Sequence, residues 1–101
     1  MAKKTKTKRD PKKIRETLGS FIKESRLKKN FSQAELAANL GYSSPQFISD
    51  WERGVSSPPL KKLPELAAEL NVKMETLFEL LLELATLQLT TNLKEEFKKI
   101  S

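Results

Sequence analysis

The sequence predicts an all-α fold, and three observations carry that reading. No segment of the 101 residues alternates apolar and polar side chains as a strand would. Apolar residues recur instead at spacings of three and four, as in Leu63, Leu66, Ala67 and Leu70. The stretches between them carry helix punctuation: Ser32 three residues before Glu35, Ser44 directly before Pro45, and Gly41 and Gly54 at closing positions.

The first 13 residues differ from everything that follows. They hold Lys3, Lys4, Lys6, Lys8, Arg9, Lys12 and Lys13 against Asp10 alone, while residues 14–101 hold twelve basic and twelve acidic side chains, so the formal net charge of +6 belongs to this tail. With no apolar residue beyond Met1 and Ala2, it buries too little surface to offset the entropy of ordering. Residues 1–13 are therefore expected to form a flexible basic arm whose Lys3, Lys4, Lys6, Lys8 and Arg9 gain affinity for phosphates by counterion release. A solubilising leader is the plainer alternative. Beyond the arm, residues 14–62 carry eight basic and five acidic side chains, and residues 63–91 carry one and five. Such a molecule has a positive end and a negative end, which orients it on a polyanion.

A first helix is expected over about residues 14–29, burying Leu18, Ile22 and Leu27, with Gly19 a weak point that costs about 1 kcal/mol relative to alanine. Asp10 before Pro11 offers an earlier start by the cap-then-proline rule, and Leu18 a later one.

A second helix begins at about Gln33. Ser32 and Glu35 have the spacing of a capping box, and Phe31 and Leu36 that of a hydrophobic staple. Leu36, Ala37 and Leu40 share a face, and Gly41 ends the helix in the left-handed conformation. After Tyr42 and Ser43, Ser44 is placed to cap and Pro45 to occupy the first position of a third helix running to about Arg53. Ile48, Trp51 and Phe47 are expected inward, Phe47 and Trp51 as core and not as stacking platforms. Gln46, Ser49, Asp50 and Arg53 point outward. Two short helices around a tight turn form a helix-turn-helix, whose commonest use is reading DNA.

A fourth helix covers about residues 60–70, with Leu63, Leu66, Ala67 and Leu70 inward and Pro64 tolerable in the first turn only. From Glu75 the apolar residues divide into two faces. Leu77, Leu80, Leu81 and Leu84 form one; Phe78, Leu82, Ala85 and Leu89 form the other, continued by Leu93, Phe97 and Ile100. A helix packed on its own domain needs one apolar face, so the second needs a partner, and a second copy related by twofold symmetry is the simplest. Phe78, Leu82, Ala85, Leu89, Leu93 and Phe97 are thus the expected dimerisation residues. The alternative is a break at residues 90–92, where Asn92 and Glu95 cap a short helix that folds back.

Candidate contacts follow from side-chain chemistry. Gln46 is suited to a bidentate pair with adenine, Asp50 to accepting from cytosine, and Ser44 and Ser49 to base edges generally. Arg53 and Lys61 or Lys62 flank the reading helix as phosphate clamps, and Ser43, Ser56 and Ser57 are small enough to approach the backbone closely.

Residues 18–77 resemble the XRE family, the Cro and phage-repressor (lambda-repressor-like) type of helix-turn-helix domain. The matching residues are Leu18-Gly19, Ile22 and Arg26, then Ser32-Gln33-Ala34-Glu35-Leu36-Ala37 and Leu40-Gly41. They continue with Ile48-Ser49, Trp51-Glu52-Arg53-Gly54, Pro58 and Leu66-Ala67-Ala68-Glu69-Leu70-Asn71-Val72. The resemblance implies a compact five-helix DNA-binding domain, here residues 14–77; the C-terminal helical extension over 78–101 is read from its own apolar pattern. The resemblance also implies a homodimer on a pseudo-palindromic operator in double-stranded DNA, usually repressing transcription. It assigns Gln33 a phosphate contact, and Arg26 and Glu52 a salt bridge that holds the reading helix. One departure is visible: from Gly41 to Gly54 this chain has one residue more than the commonest pattern, so Ser44-Pro45 stands where many members carry a polar base-contacting pair.

Composition bounds the rest. Cysteine and histidine are absent, which removes disulfides, zinc fingers and imidazole catalysis. Neither a phosphate-cradling glycine loop nor a paired-carboxylate site appears, so no enzymatic activity, cofactor, metal or small-molecule ligand is expected. The leading basic residues are followed by no apolar h-region, and no run is long enough to span a bilayer, so a cytoplasmic, nucleoid-associated protein without membrane contact is expected. One other class stays open, a protein-interaction module on the same fold such as an antitoxin-like partner, against which the serine- and glutamine-rich outer face argues.

Overall fold

Helix ends in this chain are set by a few side chains with the right chemistry. In the computed structural model, which describes residues 10–101, Asp10 is extended and its carboxylate accepts from the Lys13 amide at 2.8 Å, so α1 (Pro11–Lys28) takes the earliest of its three possible starts. Lys12 and Lys13 consequently lie in its first turn. Lys3, Lys4, Lys6, Lys8 and Arg9 lie outside the described residues. α2 (Gln33–Asn39) opens on the complete capping box: the Ser32 hydroxyl accepts from the Glu35 amide at 3.0 Å and the Glu35 carboxylate from the Ser32 amide at 2.8 Å. α3 (Gln46–Glu52) follows Pro45, with the Ser44 hydroxyl accepting from the Gln46 amide at 3.3 Å. A single 3-10 turn over Leu60–Lys62 leads into α4 (Leu63–Leu70), with Pro64 in its first turn, and α5 (Met74–Ile100) completes the chain.

The first four helices close by one device. A left-handed residue reverses the chain (Asn30, Gly41, Gly54 and Asn71, with φ of 61°, 85°, 76° and 56°). The next amide then reaches back to the last turn: Phe31 to the Arg26 carbonyl, Tyr42 to Ala37, Val55 to Asp50 and Val72 to Ala67, at 2.9–3.2 Å. The two glycines were expected. The two asparagines do the same work because Asn tolerates positive φ better than most side chains.

The core lies where the five helices converge. α1 contributes Ile14, Leu18 and Ile22, α2 Leu36 and Ala37 with Leu40 at its C-cap, and α3 Ile48 and Trp51. α4 contributes Leu63, Leu66, Ala67 and Leu70, and α5 Leu77 and Leu84, with Phe31, Leu80 and Leu81 packed half-buried against them. Two sequence expectations are corrected here. Leu27 is exposed, because the buried stripe of α1 runs through Ile22 to Ser25 and Arg26, and the next residue is turned a further 100° away. Phe47 is 52% exposed, because it too stands a 100° step to the side of Ile48 and Trp51 holds the inward place.

Gly19 is a seam, not a weak point. A Cβ there would lie 2.5 Å from the Trp51 carbonyl oxygen and 2.6 Å from that of Glu52, so α1 and the end of α3 approach as closely as they do because residue 19 has no side chain.

α5 runs unbroken through residues 90–92, where the Thr90 hydroxyl donates to the Thr86 carbonyl at 2.9 Å within the helix; there is no fold-back. Its 27 residues span about 40 Å. The first half packs against α1 and α4, and from Gln88 onward every residue is exposed.

Candidate nucleic-acid interface

α3 has two working sides, and the inner one is fastened by charge as well as by packing. Arg26 of α1 donates from Nε to Glu52 Oε2 at 2.6 Å and from Nη2 to Oε1 at 3.0 Å, and its Nη1 donates to the Phe31 carbonyl at 2.7 Å. Gln33 Nε2 donates to the same Glu52 Oε1 at 2.9 Å. The side chains of Arg26 and Glu52 are only 8% and 3% exposed. A buried pair survives when its geometry is bidentate and further hydrogen bonds support it, as those to the Phe31 carbonyl and from Gln33 do here. The ion pair implied by the resemblance is thus present, and it ties α1, α2 and α3 together at one carboxylate. Arg15 adds a second fastening, donating from Nε to the Gly54 carbonyl at 2.9 Å just past the end of α3.

On the outer side Gln46, Ser49, Asp50 and Arg53 form one row, the i, i+3, i+4, i+7 face of a short helix. They are linked: Gln46 Nε2 donates to Asp50 Oδ1 at 2.8 Å, Arg53 Nη2 to the same oxygen at 2.6 Å, and Arg53 Nε to the Ser49 hydroxyl at 3.2 Å. Asp50 therefore orients its neighbours and offsets the Arg53 charge. The Gln46 amide retains its carbonyl oxygen and a second N–H, the donor and acceptor needed for bidentate contact with a base edge. Since α5 packs against α1 and α4, this row stays at the surface.

The other expected contact residues divide. Ser43 and Ser44 are exposed at the turn before α3, and Lys61 is exposed on the 3-10 turn. Ser56 is half-buried, and Ser57 lines with Pro58 a groove against α5. Lys62 is committed inward: its ammonium donates to the Leu40 carbonyl at 2.7 Å, pairs with Glu65 at 3.1 Å and stands 5.1 Å from the centroid of the Tyr42 ring. Of the two lysines, Lys61 has the freer ammonium.

Sequence reasoning missed an aromatic cluster at the turn. Tyr42 lies 4.8 Å from Phe47, centroid to centroid, and 5.8 Å edge-on to Trp51. The signal available was the tyrosine next to Gly41, but spacing along one helix cannot reveal a contact between a turn and the following helix. The Gln33–Glu52 bond was invisible for the same reason.

Away from α3, Phe78, Leu82, Ala85, Leu89, Leu93 and Phe97 are all exposed along α5, Phe97 at 66%. Beside Phe78 and Leu82 the helix borders an apolar groove of about 330 Å³ that also meets Leu60 and Ser57.

The sequence model of the helix-turn-helix family HTH_3 matches residues 22–77, more than half of the chain. The crystal structure of the clp gene regulator ClgR from Corynebacterium glutamicum is similar in fold, with 24% identity and a TM-score of 0.56 over 86% of this chain and 88% of that one. No curated protein matches the chain.

Proposed function

The chain belongs to the XRE-type helix-turn-helix family of DNA-binding transcription regulators, and on that premise we propose that it is a repressor that binds a pseudo-palindromic operator as a homodimer. In this reading α3 lies in the major groove. Gln46, Ser49, Asp50 and Ser44 meet base edges, and Gln33, Ser43, Ser56, Ser57, Arg53 and Lys61 lie along phosphates. The observation that carries it is the row Gln46–Ser49–Asp50–Arg53: a hydrogen-bonded, solvent-facing set of polar groups on a helix fixed from behind by a buried ion pair. Such a surface presents donors and acceptors in fixed positions, as base reading requires.

The homodimer rests on the exposed stripe of α5, too long and too apolar to be left to water on a small protein. Two copies would place their α3 helices about 34–36 Å apart, one turn of DNA. Repression then follows from occupancy of a promoter. The basic arm adds sequence-independent affinity, and the working compartment is the cytoplasm.

Selection of bound sites from a random duplex pool tests the reading, with titration of the selected site between 50 and 200 mM salt. A palindromic consensus whose affinity falls steeply with salt is expected. A protein that recovers no consensus and binds duplex at neither salt would instead be a protein-interaction module. Leu89→Glu combined with Phe97→Glu is expected to halve the mass in sedimentation while leaving the fold intact.

A further inference from the structure

The outer side of α3 carries one residue that the polar row does not explain. Phe47 follows Gln46, is half exposed, and is not loose: its ring packs against Tyr42 at 4.8 Å between centroids, tilted by 40°, and Tyr42 is in turn set edge-on against the buried Trp51 and lies close to the Lys62 ammonium. A lone exposed phenylalanine is ordinary. One held in a three-ring cluster beside the best base-reading side chain of the domain is a preorganised apolar contact. A phenyl ring has no hydrogen bond to offer, and the apolar feature that bases display in the major groove is the 5-methyl group of thymine.

We propose that Phe47 is a specificity residue that reads a thymine methyl at the position next to the base met by Gln46. The inference rests on the DNA-reading function proposed above and names one base class for that site. Phe47 stands a 100° step around α3 from Gln46, on the side of the Tyr42 turn, so the two side chains address neighbouring base pairs. Tyr42 acts as a positioning residue, holding the ring out from the helix instead of letting it fold onto Ile48 and Trp51.

The experiment takes the site selected by the full-length protein and replaces each thymine in turn, in both half-sites, by deoxyuridine, which removes the methyl and leaves every hydrogen bond. Wild-type affinity is expected to fall about fourfold per half-site at one thymine position, the worth of one buried methyl. Phe47→Ala is expected to bind the unmodified site more weakly and to show no penalty at that same position. Thermal unfolding checks that this variant folds; should it not, Phe47→Gln, which keeps bulk over Tyr42 without an apolar tip, takes its place. A flat deoxyuridine scan with wild type overturns the proposal, as does an equal methyl penalty in wild type and variant. Both outcomes leave the DNA-reading function standing, whereas failure to select any consensus removes that function and this inference together.

Discussion

α3 carries two ion pairs of the same length and opposite character. Arg26–Glu52 and Arg53–Asp50 both close at 2.6 Å, yet the side chains of the first are 8% and 3% exposed and those of the second 57% and 24%. Distance alone would rank them equal. Burial separates them: the first has been taken out of water and depends on its partner, so losing either member strands a charge. The second lies at the surface, where an exposed pair contributes about 0–1 kcal/mol and its groups can turn to another partner at lower cost. A helix of 7 residues is too short to hold itself. It is held on one side by a buried pair and presents on the other a pair at the surface.

Substitutions that break this contrast should separate by size. Arg26→Ala is expected to lower unfolding stability by about 3–5 kcal/mol in urea titration, with DNA binding lost as a consequence. A loss below about 1 kcal/mol, the range of exposed pairs, would mean the pair does not anchor α3. Gly19→Ala should cost about 1–3 kcal/mol through overpacking of the α1–α3 seam, outweighing alanine's better helix propensity. A neutral or stabilising result would show that the two helices can part freely. Ser32→Ala, which removes a cap at the entrance to α2, should cost about 1 kcal/mol; no change in melting temperature would mean that solvent satisfies the Glu35 amide equally well. Asp50→Ala sharpens the comparison from the other side. Its stability should stay within about 0.5 kcal/mol of wild type, while the base preference recovered in site selection shifts as Gln46 and Arg53 lose their common acceptor. If stability fell as far as in Arg26→Ala, the two pairs would not differ in kind.

Local chemistry was the legible part. The capping box at Ser32 and Glu35, the left-handed glycines 41 and 54, the inward leucines of α4 and the division of α5 into two apolar faces all rest on spacings of three and four within one segment, and each reappears in the fold. The misreadings have two causes. Leu27 and Phe47 are apolar residues one step beyond a helix's buried stripe, and composition makes them look like core although a 100° turn carries them to the surface. Lys62 looked like a phosphate clamp because nothing near it in sequence shows that its ammonium meets the carbonyl of Leu40, twenty-two residues earlier. Gly19 read as a defect because propensity counts only its own helix, whereas its reason is the backbone of another.

What the amino-acid order determined by itself is the set of helices, the caps that open α2 and the glycines that close α2 and α3, and which polar groups stand on the outer face of α3. Those depend on hydrogen bonds and side-chain packing among residues three to six apart. Only the tertiary structure decided which carboxylate is anchored and which is available, that Phe47 is pinned outward over Tyr42, and that α5 projects past its own domain. These are contacts between segments distant in the chain, and burial, which sets the strength of every charge and apolar group in them, exists only once the segments have met.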